Sequence, residues 1–163
     1  MFTKKLGKSI GIEITDLDTT IDLNEKLKNK ISEMLSEYSI VVIRNQNITN
    51  DEHIKFSENF GTLELTKVGT DGSGSKLIIL RNFDEEGNIV PPTDRQRLNN
   101  LANQEWHSDS SFKKVPSKMS ILSAKMIPSI GGNTEFLSMR ASYNALPQGL
   151  KLKIDDKVCW HDY

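Results

Sequence analysis

The stretch NQEWHSDSSF, residues 103–112, sets His107 and Asp109 two positions apart. On an extended backbone alternate side chains share a face, so these two reach toward one point while Ser108 turns away. An imidazole nitrogen beside a carboxylate oxygen begins the set of two histidines and one carboxylate that holds Fe(II) with positions open for a co-substrate and oxygen. The bland alternative is a strand end whose histidine hydrogen-bonds a neighbouring carboxylate. Thiolate ligation has no counterpart here, because Cys159 is the only cysteine. It can form no internal disulfide and reads as a small buried apolar side chain.

The elements that must position such a pair are partly legible upstream. IGIEITDL alternates Ile10, Ile12 and Ile14 with smaller or polar residues, the period of a half-buried strand. From Leu23 the spacing turns helical through Leu27, Ile31, Leu35 and Tyr38, with Asp22 as the cap and Glu25 three residues on. SIVVIRN, residues 39–45, is a β-branched run suited to a strand buried on both faces. Thr49 and Glu52 then form a capping-box pattern that opens a second helix, closed by Gly61. His53 on this helix lines up with Phe56 and Phe60 and reads as packed at the edge of an aromatic stripe, with a functional role as the alternative.

GTDGSGSK, residues 69–76, is not a phosphate-binding loop: its lysine comes one position late and the strand pattern KLIILRN follows where a helix is needed. It reads as a turn, as does DEEGN at 84–88. Residues 89–104, IVPPTDRQRLNNLANQ, carry a proline pair and little periodicity, which predicts a long surface excursion of the kind that serves as a lid. Beyond the opening motif, residues 120–127 and 133–139 read as strands joined by PSIGG, and MRASYNAL as a short helix stopped by Pro147. Trp106 and Phe112 read as packing residues.

With 163 residues, 36% apolar and 26% charged, the chain suits a single domain spanning 1–163. A formal net charge of −1 with interspersed signs supplies no field for phosphate backbones, so nucleic acid is not an expected partner. No run approaches the ~18 apolar residues of a membrane span, so a cytoplasmic, soluble protein is expected. Self-association into a homo-oligomer stays open.

NQEWHSDSSF, PSKMSILSAKMIPSIGGNTEF and MRASYNALP, with YSIVVIRNQNIT and FGTLE before them, together resemble the TauD/TfdA family of Fe(II)- and 2-oxoglutarate-dependent dioxygenases, nearer its dichlorophenoxyacetate branch. The resemblance implies an α+β, mainly β, double-stranded β-helix: a jelly-roll, cupin-like fold with outer helices, incomplete at its C-terminal side. It implies His107 and Asp109 as two iron ligands and Thr134 as the hydroxyl that binds the 2-oxoglutarate carboxylate. Molecular oxygen and a small anionic organic substrate, a sulfonate or an aryloxy or alkyl carboxylate, are the implied reactants. Asn103 matches a position near the substrate, though its amide could equally cap the turn. Lys67 and Arg81 are the cationic candidates for the substrate's charge.

In the family the second iron histidine and the arginine that pairs with 2-oxoglutarate come later than these 163 residues reach. His161 matches a position that is not a ligand. The 163 residues alone are therefore expected to be poorly active, and a non-catalytic binding or assembly module of the same fold is the alternative reading.

Overall fold

The computed structural model describes residues 1–66 and 74–160. They divide into two compact units: Met1–Gly61 with Leu122–Trp160, and Thr62–Ile121. The turn expected at residues 69–76 falls mostly outside the described residues, and Lys67 and His161 fall wholly outside them.

In the first unit, β1 (Thr3–Lys5) pairs antiparallel with β2 (Ile12–Ile14), and β2 pairs parallel with β3 (Val41–Ile43). A parallel pair cannot be joined by a tight turn, and helix α1 (Glu25–Tyr38) makes the crossover. The β1–β2 connection closes on Leu6 N–H donating to the Gly11 carbonyl at 2.9 Å. Gly11 sits at φ +88°, where a Cβ would also meet Leu6 Cβ at 3.2 Å, so the turn requires glycine.

The alternation expected of β2 is observed: Ile12 and Ile14 are buried, Ile14 completely, while Glu13 is half-buried and pairs with Arg44 at 3.2 Å. With Leu17, Leu23, Ile31, Met34, Ile48 and Phe56 they form the core among the described residues. β3 is half-buried along its length and not buried on both faces, and as the last strand in the order β1-β2-β3 it also has one open edge. The buried Thr19 and the Gln46 amide join the two loops that leave β2 and β3. Gln46 Oε1 accepts from Thr19 N–H and Oγ1, while Nε2 donates to the Leu17 and Arg44 carbonyls. Every hydrogen-bonding group of that amide's oxygen and nitrogen is thereby used where burial would penalise a free one.

The cap of α1 is Asn24, not Asp22: Asn24 Oδ1 accepts from Leu27 N–H at 2.9 Å, one turn in. Asp22 instead takes Lys55, which holds its carboxyl below the usual range. Met34 is buried deeper on the helix face than Leu35. Helix α2 (Asn50–Glu58) carries the expected capping box, with Thr49 Oγ1 accepting from Glu52 N–H at 3.2 Å and Glu52 Oε2 accepting from Thr49 N–H at 2.7 Å. His53 is buried on its inner face, and Phe56 meets Phe60 edge-on at 5.4 Å. Thr49→Ala is expected to destabilise the protein by about 1 kcal/mol, read as a lower urea midpoint at unchanged slope.

Three helices follow: α3 (Arg95–Ala102), α4 (Met139–Ala145) and α5 (Gln148–Ile154). α4 stops at Pro147 as its sequence predicts, but Pro147 also occupies the N-cap position of α5. α3 lies inside the stretch expected to be an irregular excursion. Its start is set by Asp94, whose Oδ1 accepts from Arg97 N–H at 3.1 Å.

The strands expected at 76–82, 120–127 and 133–139 form no ladder among the described residues, apart from the single Phe83–Ile89 bridge. A strand needs a second strand in register to receive its N–H and C=O groups, and these segments have no strand beside them among the described residues. Leu122, Met126, Ile127, Phe136 and Leu137 are accordingly exposed. The β-helix is therefore not displayed by the described residues, which hold three strands of three residues and five helices. Cys159 is exposed rather than buried, in a segment past α5 where Val158 and Trp160 are exposed too. No helix among the described residues is long and apolar enough to cross a membrane.

Candidate metal centre

The second unit builds the opening motif outward from α3. Asn100 Nδ2 donates to the Arg81 carbonyl at 3.0 Å and Arg97 Nη1 to the Val90 carbonyl at 3.0 Å, so the helix is pinned to the chain on both sides of the DEEGN turn. That turn is formed as expected, with Asp84 N–H donating to the Asn88 carbonyl at 2.9 Å. The helix ends in Asn103 and Gln104, whose N–H groups return to Asn100 and Leu101. Asn103 thus closes the helix with its backbone, and its side chain is exposed.

His107 and Asp109 follow in irregular chain, not in a ladder, yet they converge: Nε2 lies 3.4 Å from Oδ1. His107 Nδ1 lies 2.7 Å from the Glu105 carbonyl oxygen. A carbonyl can only accept, so Nδ1 carries the proton, and in the neutral ring Nε2 presents its lone pair. With Nε2 unprotonated, two electron-rich atoms face each other and a cation can bridge them; a protonated ring would instead pair directly with the carboxylate. A first-row divalent ion sits about 2.1 Å from such donors, and two atoms 3.4 Å apart can share one. A ring nitrogen tied to a backbone carbonyl is also the usual support of a ligating histidine. The residues present fit a metal. Among the described residues no third histidine, cysteine, aspartate or glutamate joins them.

Backbone and hydroxyl groups hold the pair's surroundings. Ser110, directly after Asp109, sits at φ 56°, a left-handed conformation that costs a non-glycine residue about 1 kcal/mol or more. It is held there from two sides: its carbonyl accepts from Lys113 N–H at 3.0 Å and its hydroxyl lies 3.1 Å from Ser117 Oγ. Ser117 is also 3.1 Å from Glu64 Oε1, which can only accept, so Ser117 donates to Glu64 and accepts from Ser110. The Lys113 ammonium closes the brace on Glu64 and holds its carboxyl below the usual range. Ser120 Oγ reaches Asp109 Oδ2 at 2.5 Å.

Of the other residues singled out in the sequence, Thr134 belongs to the first unit and is exposed in irregular chain after the Gly131–Gly132 turn. Both glycines have positive φ, and a Cβ on Gly132 would meet Pro128 Cγ at 2.8 Å, so the tight turn expected there is real. Arg81 is half-exposed. Trp106 is 65% exposed, so it does not fill a core, and Phe112 is exposed as well. Sequence reasoning missed Glu105, Ser110 and Ser120. Glu105 acts through its backbone and Ser120 bridges eleven positions, and no spacing rule reaches either.

A histidine and a carboxylate held by their own outer partners form a candidate metal pair. The chain belongs to the taurine catabolism dioxygenase TauD, TfdA family, whose model matches residues 3–163. It is 37% identical to the alpha-ketoglutarate-dependent 2,4-dichlorophenoxyacetate dioxygenase of Cupriavidus pinatubonensis over 89% of this chain and 52% of that protein. It is 29% identical to the (S)-phenoxypropionate/alpha-ketoglutarate-dioxygenase of Sphingobium herbicidovorans, over 93% of this chain and 48% of that one. Its structure resembles the crystal structure of AAD-2 in complex with Mn(II) and N-oxalylglycine, with a TM-score of 0.84 and 33% identity over 95% of this chain and 54% of that one. The chain spans about half the length of these relatives.

Proposed function

We propose that the chain is the N-terminal portion of an Fe(II)- and 2-oxoglutarate-dependent dioxygenase that hydroxylates a small anionic organic substrate, an aryloxy or alkyl carboxylate or a sulfonate. The observation that carries this is the convergence of His107 Nε2 and Asp109 Oδ1 at 3.4 Å with the opposite ring nitrogen committed to Glu105. Similarity to relatives named as alpha-ketoglutarate-dependent dioxygenases of phenoxy acids supports the reaction class, and the AAD-2 complex supports a divalent metal. Iron held there supplies oxygen activation, coupling conversion of 2-oxoglutarate and O2 to succinate and CO2 with insertion of one oxygen atom into a substrate C–H bond.

The chain's own residues do the positioning. Glu105 holds the imidazole in the tautomer that leaves Nε2 basic, and Asp109 contributes one negative charge against the ion's two. Thr134 offers a hydroxyl donor to the co-substrate carboxylate, and Asn103 an amide to the substrate. Lys67 is the candidate cation for the substrate's acid group. A second histidine, an arginine for 2-oxoglutarate and the remaining strands of a double-stranded β-helix complete the site in the longer family domain.

The test is anaerobic addition of Fe(II) and 2-oxoglutarate to the full chain. A visible charge-transfer band that needs both additions is expected, followed in air by slow succinate release that rises with phenoxyacetate or taurine. A protein that binds neither metal nor 2-oxoglutarate is the non-catalytic module instead.

A further inference from the structure

We propose that Ser120 is a positioning residue that selects which oxygen of Asp109 faces the metal, an inference that rests on the metal-centre reading above. The two carboxylate oxygens have different partners: Oδ2 lies 2.5 Å from Ser120 Oγ, and Oδ1 lies 3.4 Å from His107 Nε2. An ionised carboxylate only accepts, so the serine hydroxyl donates. Its proton is committed to Oδ2, which leaves Oδ1 as the free donor on the histidine side.

Backbone geometry alone does not make that choice. The left-handed Ser110 and its brace through Ser117 to Glu64 fix the backbone at this turn, but the rotation of a carboxylate about its last bond is broad and nearly two-fold. The Asp109 side chain is 58% exposed, so water competes for both oxygens and adds no preference between them. A charge-assisted O–H···O contact of this length is the strong kind. Its donor stands on a different segment, eleven residues further on. Ser120 thereby holds the Asp109 carboxylate from a separate segment and favours a monodentate carboxylate, bound through Oδ1, for a divalent first-row cation.

The test compares wild type, Ser120→Ala and Ser120→Thr for Mn(II) affinity by EPR, alongside metal-free thermal melting. Ser120→Ala is expected to weaken Mn(II) binding ~10–100-fold, the usual effect of losing a ligand's outer hydrogen bond, with metal-free melting unchanged. Ser120→Thr, which keeps the hydroxyl, is expected to bind close to wild type. Alanine binding as tightly as wild type, or threonine binding as weakly as alanine, overturns the role of the hydroxyl while leaving the metal centre standing. Wild type that takes up no Mn(II) overturns the centre itself and this inference with it.

Discussion

Replacing His107 with alanine is expected to reduce affinity for Fe(II) or Mn(II) by well over 100-fold and to remove the charge-transfer band with 2-oxoglutarate. The size follows from comparison within the site. Loss of an outer partner of a ligand costs ~10–100-fold, and His107→Ala removes the proposed ligand itself. It also leaves Asp109 Oδ1 facing solvent where a second donor had been 3.4 Å away. A single carboxylate in water binds a divalent ion only weakly, because nothing offsets the ion's own hydration. His107→Gln should not rescue, since an amide oxygen is a poorer donor than imidazole to a first-row metal. Equal isotherms for wild type and His107→Ala would refute the centre, and with it the family chemistry at this position. The side chain is about half-exposed, so the substitution has little core to disturb and the melting curve of the metal-free protein should stay in place.

How much of this was readable in advance differs by region for physical reasons. β2, α1, β3 and α2 were legible because independent local signals agree there: the period of Ile12 and Ile14, the stripe through Leu23, Leu27 and Ile31, and the reciprocal box of Thr49 and Glu52. α3 was missed because its only apolar spacing is Leu98 and Leu101, and a proline pair precedes it. Asp94 was the available signal, a cap residue three positions ahead of Arg97. α5 was missed because Pro147 reads as a stop, although proline is equally at home where a helix begins.

The segments 76–82, 120–127 and 133–139 show the opposite failure. Their composition gives real extended preference, but a ladder is a property of two segments and no single one encodes its partner. At the candidate site the two proposed ligands were visible as residue types at a fixed spacing. What prepares them was not: the tautomer depends on a backbone carbonyl, and the carboxylate's orientation on a hydroxyl brought in from eleven residues away.

Ile14 is the position where the fold itself is most exposed to a single substitution, and Ile14→Ala is expected to destabilise the protein by about 3 kcal/mol, within the ~2–5 kcal/mol range for such core truncations. The residue is completely buried, and it lies on the central strand with Thr3 opposite on one side and Ile43 on the other. Neighbouring strands fix its backbone by ladder hydrogen bonds, so the sheet cannot close onto the space left by the missing carbons. Total stabilities of about 5–15 kcal/mol make this a large fraction of what is available. All eight buried hydrophobic residues among those described lie between Ile12 and Phe56, so no second core there compensates. Two companions calibrate the measurement. Ile14→Val, which removes one methylene, should cost ~0.5–1.5 kcal/mol, and Ile43→Ala at the half-buried β3 should cost less than Ile14→Ala. Urea unfolding reads all three as shifts in midpoint at constant slope. If Ile14→Ala and Ile43→Ala lose equal stability, β2 is not the buried centre of this sheet, and the order β1-β2-β3 that places it there is wrong.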